Sequence, residues 1–100
     1  MLSLWVGAEK RQMKHKIEIY TVKGVSKCDI ACQIFESRGI PFENIVVGID
    51  MNLIVEMWAR SECHTIPQIF IDDVHIGSLP ELLDMVESGE IDKLAEEYQQ

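Results

Sequence analysis

The chain has 100 residues, of which 47% are hydrophobic and 26% charged, a composition typical of one soluble globular domain. These values exclude a disordered or low-complexity chain, and a chain of this length can bury a core of its own. Nine basic against seventeen acidic side chains give a net charge of −8, which disfavours nucleic acid and anionic membrane surfaces as partners. The sequence also lacks an apolar run of the roughly 20 residues that a membrane span needs.

Hydrophobic periodicity divides residues 16–100, predicted to form one domain, into strands and helices, after an N-terminal extension over residues 1–15. The predicted strands are Lys16–Tyr20, Phe42–Val47, Gln68–Ile71 and Val74–Ile76. The predicted helices begin at Ser26, Asp50, Ser78 and Glu90. A helix between the first two strands requires parallel pairing, and the Asp72-Asp73 turn requires an antiparallel hairpin. The sequence therefore predicts an α/β fold with a four-stranded mixed sheet and helices on both faces.

The second predicted helix shows the amphipathic pattern most clearly. Asp50 is placed to cap its N-terminus. Its apolar residues recur at helical spacing and predict the buried face: Leu53, Ile54, Met57 and Trp58. Glu56 and Arg60 are four residues apart on the other side, so they are predicted to pair with each other in solvent.

The start of the first predicted helix carries a candidate reactive thiol. Ser26 with Asp29 three residues later fits a capping box, and Val25 with Ile30 fits a hydrophobic staple. Cys28 would then lie at the second helical position, where backbone N–H groups stabilise an anion, so its pKa is expected to fall. The alternative is that Cys28 is a small buried hydrophobe, the commoner role of an isolated cysteine.

With Cys32 and Cys63 the chain has three cysteines. This odd, small number is not typical of a secreted disulfide scaffold. The apolar N-terminus does not resemble a signal peptide, so a reducing, cytoplasmic setting is expected. Cysteines four residues apart on a helix have poor disulfide geometry, which favours core packing for Cys32. Cys63 and His64 lie in a loop, and with the helical cysteines they match no standard zinc spacing, so no metal site is predicted.

Several short segments, taken together, resemble the glutaredoxin family. They are Ile19-Tyr20-Thr21, Gly39-Ile40-Pro41-Phe42, Thr65-Ile66-Pro67-Gln68-Ile69-Phe70-Ile71-Asp72 and His75-Ile76-Gly77. The resemblance extends from about Lys16 to Leu94 and implies a thioredoxin-like fold, with glutathione as cofactor and glutathione or protein disulfides as partners. It also implies that Pro67 is cis and that the backbone of Ile66 pairs with the cysteine of glutathione.

The resemblance implies further contacts with glutathione from Lys23, Thr65, Pro67, Gly77 and Ser78. Lys23 is next to the position of the family's lysine, which Val22 occupies here. The family's Gly-Gly-Cys-Asp-Asp turn, which binds the γ-glutamyl end of glutathione, aligns with Gly77-Ser78-Leu79-Pro80-Glu81. In this segment the proline has no N–H and the first aspartate is missing. Ser78 and Glu81 instead fit a second capping box.

The motif at the start of the first helix departs from the family. Glutaredoxins place Cys-x-x-Cys or Cys-x-x-Ser there, and an ungapped alignment puts Val25-Ser26-Lys27-Cys28 at this position. Valine cannot attack a disulfide, because the reactive species is a thiolate. The family's bridging [2Fe–2S] cluster uses the same cysteine and is not expected either. A shifted alignment, with Cys28 as nucleophile and Cys32 as its resolving partner, is the alternative.

Two functions follow as hypotheses. In the first, the chain is a glutathione-dependent thiol–disulfide oxidoreductase that acts through Cys28 as an atypical monothiol, assisted by Cys63 or Cys32. In the second, it is a redox-inactive relative whose former glutathione groove, near Val25, Ile66 and Leu79, binds a peptide or protein partner. The apolar substitution at the nucleophile position suits contact with a partner better than capture of glutathione.

Overall fold

The computed structural model describes residues 14–98, which form a four-stranded mixed sheet with helices on both faces. The strands are β1 (Ile17–Thr21), β2 (Glu43–Val46), β3 (Gln68–Ile71) and β4 (Val74–Gly77). The helices are α1 (Ser26–Glu36), α2 (Met51–Ser61), α3 (Leu79–Glu87) and α4 (Glu90–Glu96). The predicted α/β fold is therefore confirmed. Most of the predicted N-terminal extension, residues 1–13, lies outside the described residues.

The strands follow the order β2-β1-β3-β4 across the sheet. Helix α1 connects β1 to β2, and these two strands are parallel, whereas β1 and β3 are antiparallel. The turn Asp72–Asp73 joins β3 to β4, and both of its residues have the positive φ that a tight hairpin needs. A β-bulge interrupts this hairpin beyond the Phe70–His75 pair. None of the helices between residues 14 and 98 is long and apolar enough to cross a membrane.

Alternate side chains of β1 and β3 point to opposite faces of the sheet and build two hydrophobic cores. One core includes residues from α1, α3 and α4, and its buried residues are Ile17, Ile19, Ala31, Phe35, Ile40, Ile69, Leu79, Leu82, Ile91 and Ala95. The other includes α2, and its buried residues are Tyr20, Val47, Met57 and Phe70. The start of α1, the loop before β3 and the start of α3 meet at one end of this sandwich and line a common groove.

Helix α2 is attached to the sheet by Arg60. Its guanidinium donates hydrogen bonds to the buried Glu18 carboxylate at 2.9 and 3.2 Å, and to the Tyr20 hydroxyl at 2.8 Å. It also lies 4.0 Å from the centre of the Phe70 ring, close enough for a cation–π interaction. The predicted pairing of Arg60 with Glu56 is therefore wrong, because the Glu56 carboxylate accepts from the Tyr20 hydroxyl instead.

The first described residues are attached to the domain through His15. Its ring nitrogens lie 2.7 Å from the Asp72 carboxylate and 3.0 Å from the Glu97 carboxylate. Hydrogen bonds to these two carboxylates raise the pKa of His15, and the same contact with His15 lowers the pKa of Asp72. Lys14 and His15, which the sequence assigned to the extension, thus contact the folded domain.

We expect Arg60→Ala to lower the free energy of unfolding by about 2–4 kcal/mol, because it leaves the Glu18 carboxylate buried without its partner. Arg38→Ala is the matched control. Arg38 pairs with the exposed Asp92, so its loss should cost less than about 1 kcal/mol. Urea denaturation followed by circular dichroism measures both values. Equal losses in the two variants would contradict the anchoring role of Arg60.

The contribution of His15 to stability is expected to depend on pH. Because its folded-state pKa is raised, the stabilisation is fully present below the ordinary value of 6.5 and is lost as the pH rises through the folded-state pKa. Urea denaturation of the natural protein and of His15→Gln should therefore differ more at about pH 6 than at about pH 9. His64→Gln, which changes an exposed histidine, is the control. A difference that grows towards the higher pH would refute this linkage.

Candidate functional site

A groove of about 530 Å³ lies where the start of α1, the loop before β3 and the start of α3 meet. It is lined by Lys27, Cys63, Thr65, Ile66, Gln68, His75, Ile76, Gly77, Ser78, Pro80 and Glu81. Four of the residues predicted to contact glutathione are thus brought together: Thr65, Ile66, Gly77 and Ser78. Pro67 is buried and is not one of the lining residues. The peptide bond between Ile66 and Pro67 is cis, as the resemblance implies.

The backbone of Ile66 carries hydrogen-bonding groups that are available to a ligand. Within residues 14–98, no group binds its N–H or its carbonyl, although Ile66 is half-buried on the groove wall. The carbonyl of the preceding residue, Thr65, is different, because it accepts a hydrogen bond from Gln68 at 2.9 Å. An extended segment in the groove can therefore pair with the Ile66 backbone as an added β-strand does.

The start of α3 forms another part of the groove wall. The Ser78 backbone N–H donates to the Glu81 carboxylate at 2.7 Å, in the capping box predicted from the sequence. Gly77 has a φ of 129°, and a Cβ atom there would lie 2.6 Å from the Glu81 carboxylate, so glycine is required. Pro80, in the first turn, has no N–H to offer. This wall therefore provides few donors to an anionic ligand group.

Helix α1 begins one residue earlier than predicted. Val25 is its N-cap, because its carbonyl accepts the N–H groups of Cys28 and Asp29 at 3.0 and 3.3 Å, and Ser26 is already helical. The predicted Ser26–Asp29 capping box is therefore wrong. The predicted staple between Val25 and Ile30 is also wrong, since 44% of the Ile30 surface is exposed. Val25 occupies the tip of α1, as the ungapped alignment placed it.

Cys28 is buried beneath the tip of α1, with 3% of its surface exposed. Burial raises the pKa of its thiol, a hydrogen bond from the Val22 backbone lowers it by less, and the charge of Asp29 adds to the rise. The predicted fall in this pKa is therefore wrong. The helix N-terminus does stabilise an anion, but Cys28 lies one position further into the helix than predicted, and its side chain is removed from water.

The three cysteines and Lys23 are divided between two cavities. Cys28, Cys32 and Lys23 line a separate cavity of about 100 Å³, so the predicted contact of Lys23 with glutathione stays a prediction. Burial raises the pKa of Cys32 to about 11, and Cys32 packs against the core as expected. Cys63 is half-buried and lines the groove with Ile66. The cysteine predicted to be catalytic, Cys28, is thus not a groove residue.

Sequence reasoning missed two polar residues of the groove, Gln68 and His75. Gln68 is 1% exposed, and its side chain connects His75 to Thr65 by hydrogen bonds. The available signal was a glutamine at the start of an otherwise apolar strand, with a histidine on the facing strand of the hairpin. A polar side chain at a buried strand position needs a partner, and the hairpin register places that histidine nearby.

Comparisons with known proteins show which family the chain resembles. The family model described as Glutaredoxin matches residues 17–76. Glutaredoxin 1 of Rickettsia bellii is 36% identical over 86 residues, which cover 82% of this chain and 88% of that protein. The hybrid peroxiredoxin hyPrx5 of Haemophilus influenzae is 37% identical over 75 residues. That match covers 75% of this chain but 31% of the longer protein.

A solved structure of a glutaredoxin also resembles this chain. Glutaredoxin 1 from Francisella tularensis, complexed with cacodylate, superposes with a TM-score of 0.62 at 33% sequence identity. The superposition covers 74% of this chain and 94% of that one. The sequence and structure matches confirm the resemblance that the short segments indicated, and with it the thioredoxin-like fold.

We expect iodoacetamide to alkylate Cys63 at least about tenfold faster than Cys28 in the folded protein, because the thiolate is the reactive species. Burial both raises the pKa of Cys28 and limits access to it. Mass spectrometry of peptides from a time course measures the two rates, and denaturation in urea should remove the difference. Faster alkylation of Cys28 would show that its side chain faces solvent.

Proposed function

The chain belongs to the glutaredoxin family of thiol oxidoreductases, and we propose that its groove binds the cysteine residue of glutathione, or of a peptide thiol, through the backbone of Ile66. Members of this family use glutathione as a substrate or cofactor. The observation that carries the proposal is the Ile66 N–H and carbonyl, which have no partner within residues 14–98 and lie on the groove wall. A ligand that pairs with both groups satisfies them.

The lining of the groove carries one basic and one acidic side chain, Lys27 and Glu81. Lys27, near the start of α1, contributes a positive charge to the lining. The Glu81 carboxylate is engaged by the Ser78 N–H, which reduces its repulsion of a ligand carboxylate. Pro80 removes one N–H from the turn that, by resemblance, receives the γ-glutamyl end of glutathione. We therefore expect peptides with an internal cysteine to compete well with glutathione.

Two observations favour binding over attack on a disulfide by Cys28. Val25, which has no sulfur, occupies the tip of α1, where the motif of the relatives begins. Cys28 is buried and its pKa is raised, so at neutral pH its thiol is protonated and shielded from the groove. The proposal is therefore a binding function without exchange at Cys28, in the reducing, cytoplasmic setting expected from cysteine usage.

Val25→Cys is expected to raise glutathione-dependent reduction of hydroxyethyl disulfide at least about tenfold, because the helix N-terminus stabilises a thiolate at this position. Val74→Cys is the matched control. It adds a thiol on β4 at a residue that is 60% exposed, and it should leave the rate unchanged. Cys28→Ser should also leave the rate of the natural protein unchanged. A spectrophotometric assay coupled to glutathione reductase measures all four proteins.

Titration calorimetry with glutathione tests the binding step directly, and saturable binding by the natural protein is expected. A natural activity that Cys28→Ser abolishes would overturn the binding proposal in favour of a monothiol enzyme. Activity that survives in Cys28→Ser but is lost in Cys63→Ser would also overturn it and would assign exchange to the groove cysteine. If neither glutathione nor a cysteine-containing peptide binds, cysteine-containing thiols are excluded as ligands of the groove.

A further inference from the structure

We infer that His75 and Gln68 form a hydrogen-bond relay that fixes the direction of the Ile66 N–H for ligand pairing; this inference rests on the proposed function. His75 lies on β4 and Gln68 is the first residue of β3, and both line the groove. The Nε2 atom of His75 is 2.6 Å from the Oε1 atom of Gln68. The Nε2 atom of Gln68 donates to the carbonyl and the hydroxyl of Thr65 at 2.9 and 3.0 Å.

The chemistry of these groups gives the relay a direction. The Gln68 amide nitrogen donates to two oxygens of Thr65, so both of its hydrogens are used and its oxygen must accept. His75 Nε2 therefore carries a hydrogen and donates it. The donor on His75 and the two oxygens of Thr65 together hold the Gln68 amide in this orientation. A flipped amide would place its oxygen against the Thr65 carbonyl, where two acceptors repel each other.

The relay acts on the ligand through one peptide plane. The peptide between Thr65 and Ile66 is trans, since the cis bond of this loop is between Ile66 and Pro67. In a trans peptide the carbonyl and the N–H point in opposite directions. The hydrogen bond from Gln68 to the Thr65 carbonyl therefore directs the Ile66 N–H to the opposite side, away from Gln68. On that side, no acceptor from residues 14–98 binds the Ile66 N–H. His75 is thus a positioning residue, because it acts through Gln68 and Thr65.

Packing keeps the relay in one arrangement. Gln68 is 1% exposed, and across residues 14–98 every buried side-chain nitrogen and oxygen has a hydrogen-bond partner. The His75 ring lies 5.1 Å from the Phe70 ring, centre to centre, and Arg60 contacts the same phenyl ring. Rotation of the His75 ring would lose this contact together with the hydrogen bond. The Ile66 N–H is therefore preorganised before any ligand arrives.

His75→Phe keeps an aromatic ring against Phe70 but removes the donor. We expect it to weaken glutathione binding about fivefold or more in titration calorimetry. His75→Gln restores an N–H donor of similar reach and should return the affinity to within about twofold of the natural protein. A histidine with a merely structural role would not be rescued in this way.

Gln68→Glu keeps the shape of the side chain but cannot donate to Thr65, so it should weaken binding as much as His75→Phe. Gln33→Glu makes the same change of charge on the exposed face of α1 and is the matched control. It should leave the affinity unchanged. Equal affinities of Gln68→Glu and Gln33→Glu would overturn the relay.

A measurement on the natural protein needs neither ligand nor variant. In NMR spectra, the side-chain amide protons of Gln68 should exchange with deuterated water at least about tenfold more slowly than those of Gln33. Fast exchange at Gln68 would overturn the relay. Glutathione binding that is undiminished in folded His75→Phe, or that is not restored in His75→Gln, would overturn it as well. Absence of binding by the natural protein, with slow exchange at Gln68, would instead overturn the proposed function and the ligand-positioning role that rests on it.

Discussion

The junction that Arg60 makes between α2 and the sheet supports the groove. Its guanidinium binds the Glu18 carboxylate on β1 and lies on the Phe70 ring of β3. The loop that carries Cys63 and Ile66 begins directly after α2 and ends at β3. Arg60 thus ties the helix before this loop to β3, the strand that follows it, and Gln68 of β3 holds the Thr65 carbonyl within the loop. Preorganisation of this kind lowers the conformational entropy that binding costs.

Features that depend on a few neighbours in the chain were predictable from the sequence. Asp50 caps α2 by accepting from two backbone N–H groups, and the Asp72–Asp73 turn closes the hairpin. The partner of Arg60 was not predictable in this way, because Glu18 is 42 residues away. A helical neighbour offers a weak exposed pair, whereas a buried carboxylate without a cation is costly, so the distant pair is preferred. The predicted fall in the pKa of Cys28 was also wrong because of contacts distant in the sequence, since burial is a property of the tertiary structure.

Ligand binding and attack on a disulfide depend on different elements of this fold. The groups that can pair with a ligand belong to the loop before β3, whereas the tip of α1 is where, by resemblance, the family's nucleophile lies. A helix N-cap has an extended backbone and a carbonyl that accepts the first intrahelical hydrogen bond, and Val25 has both, with φ −98° and ψ 114°. Its β-branched side chain suits this backbone conformation. Valine at this position therefore offers no nucleophile, while α1 begins regularly and the groove is formed.

Because ligand binding and attack on a disulfide depend on different elements, the groove can bind a ligand without thiol exchange at α1 under the proposed function. Where a thiolate lies at the tip of α1, a bound disulfide is broken and a mixed disulfide remains until a second thiol resolves it. No bond can form at Val25, so under the proposed function the ligand is not cleaved there. Occupancy of the groove then follows the affinity and the concentration of the ligand. The relay from His75 to Ile66 matters more in such a protein than in an exchanging relative, because backbone pairing at Ile66 then holds the ligand's cysteine residue without a covalent bond.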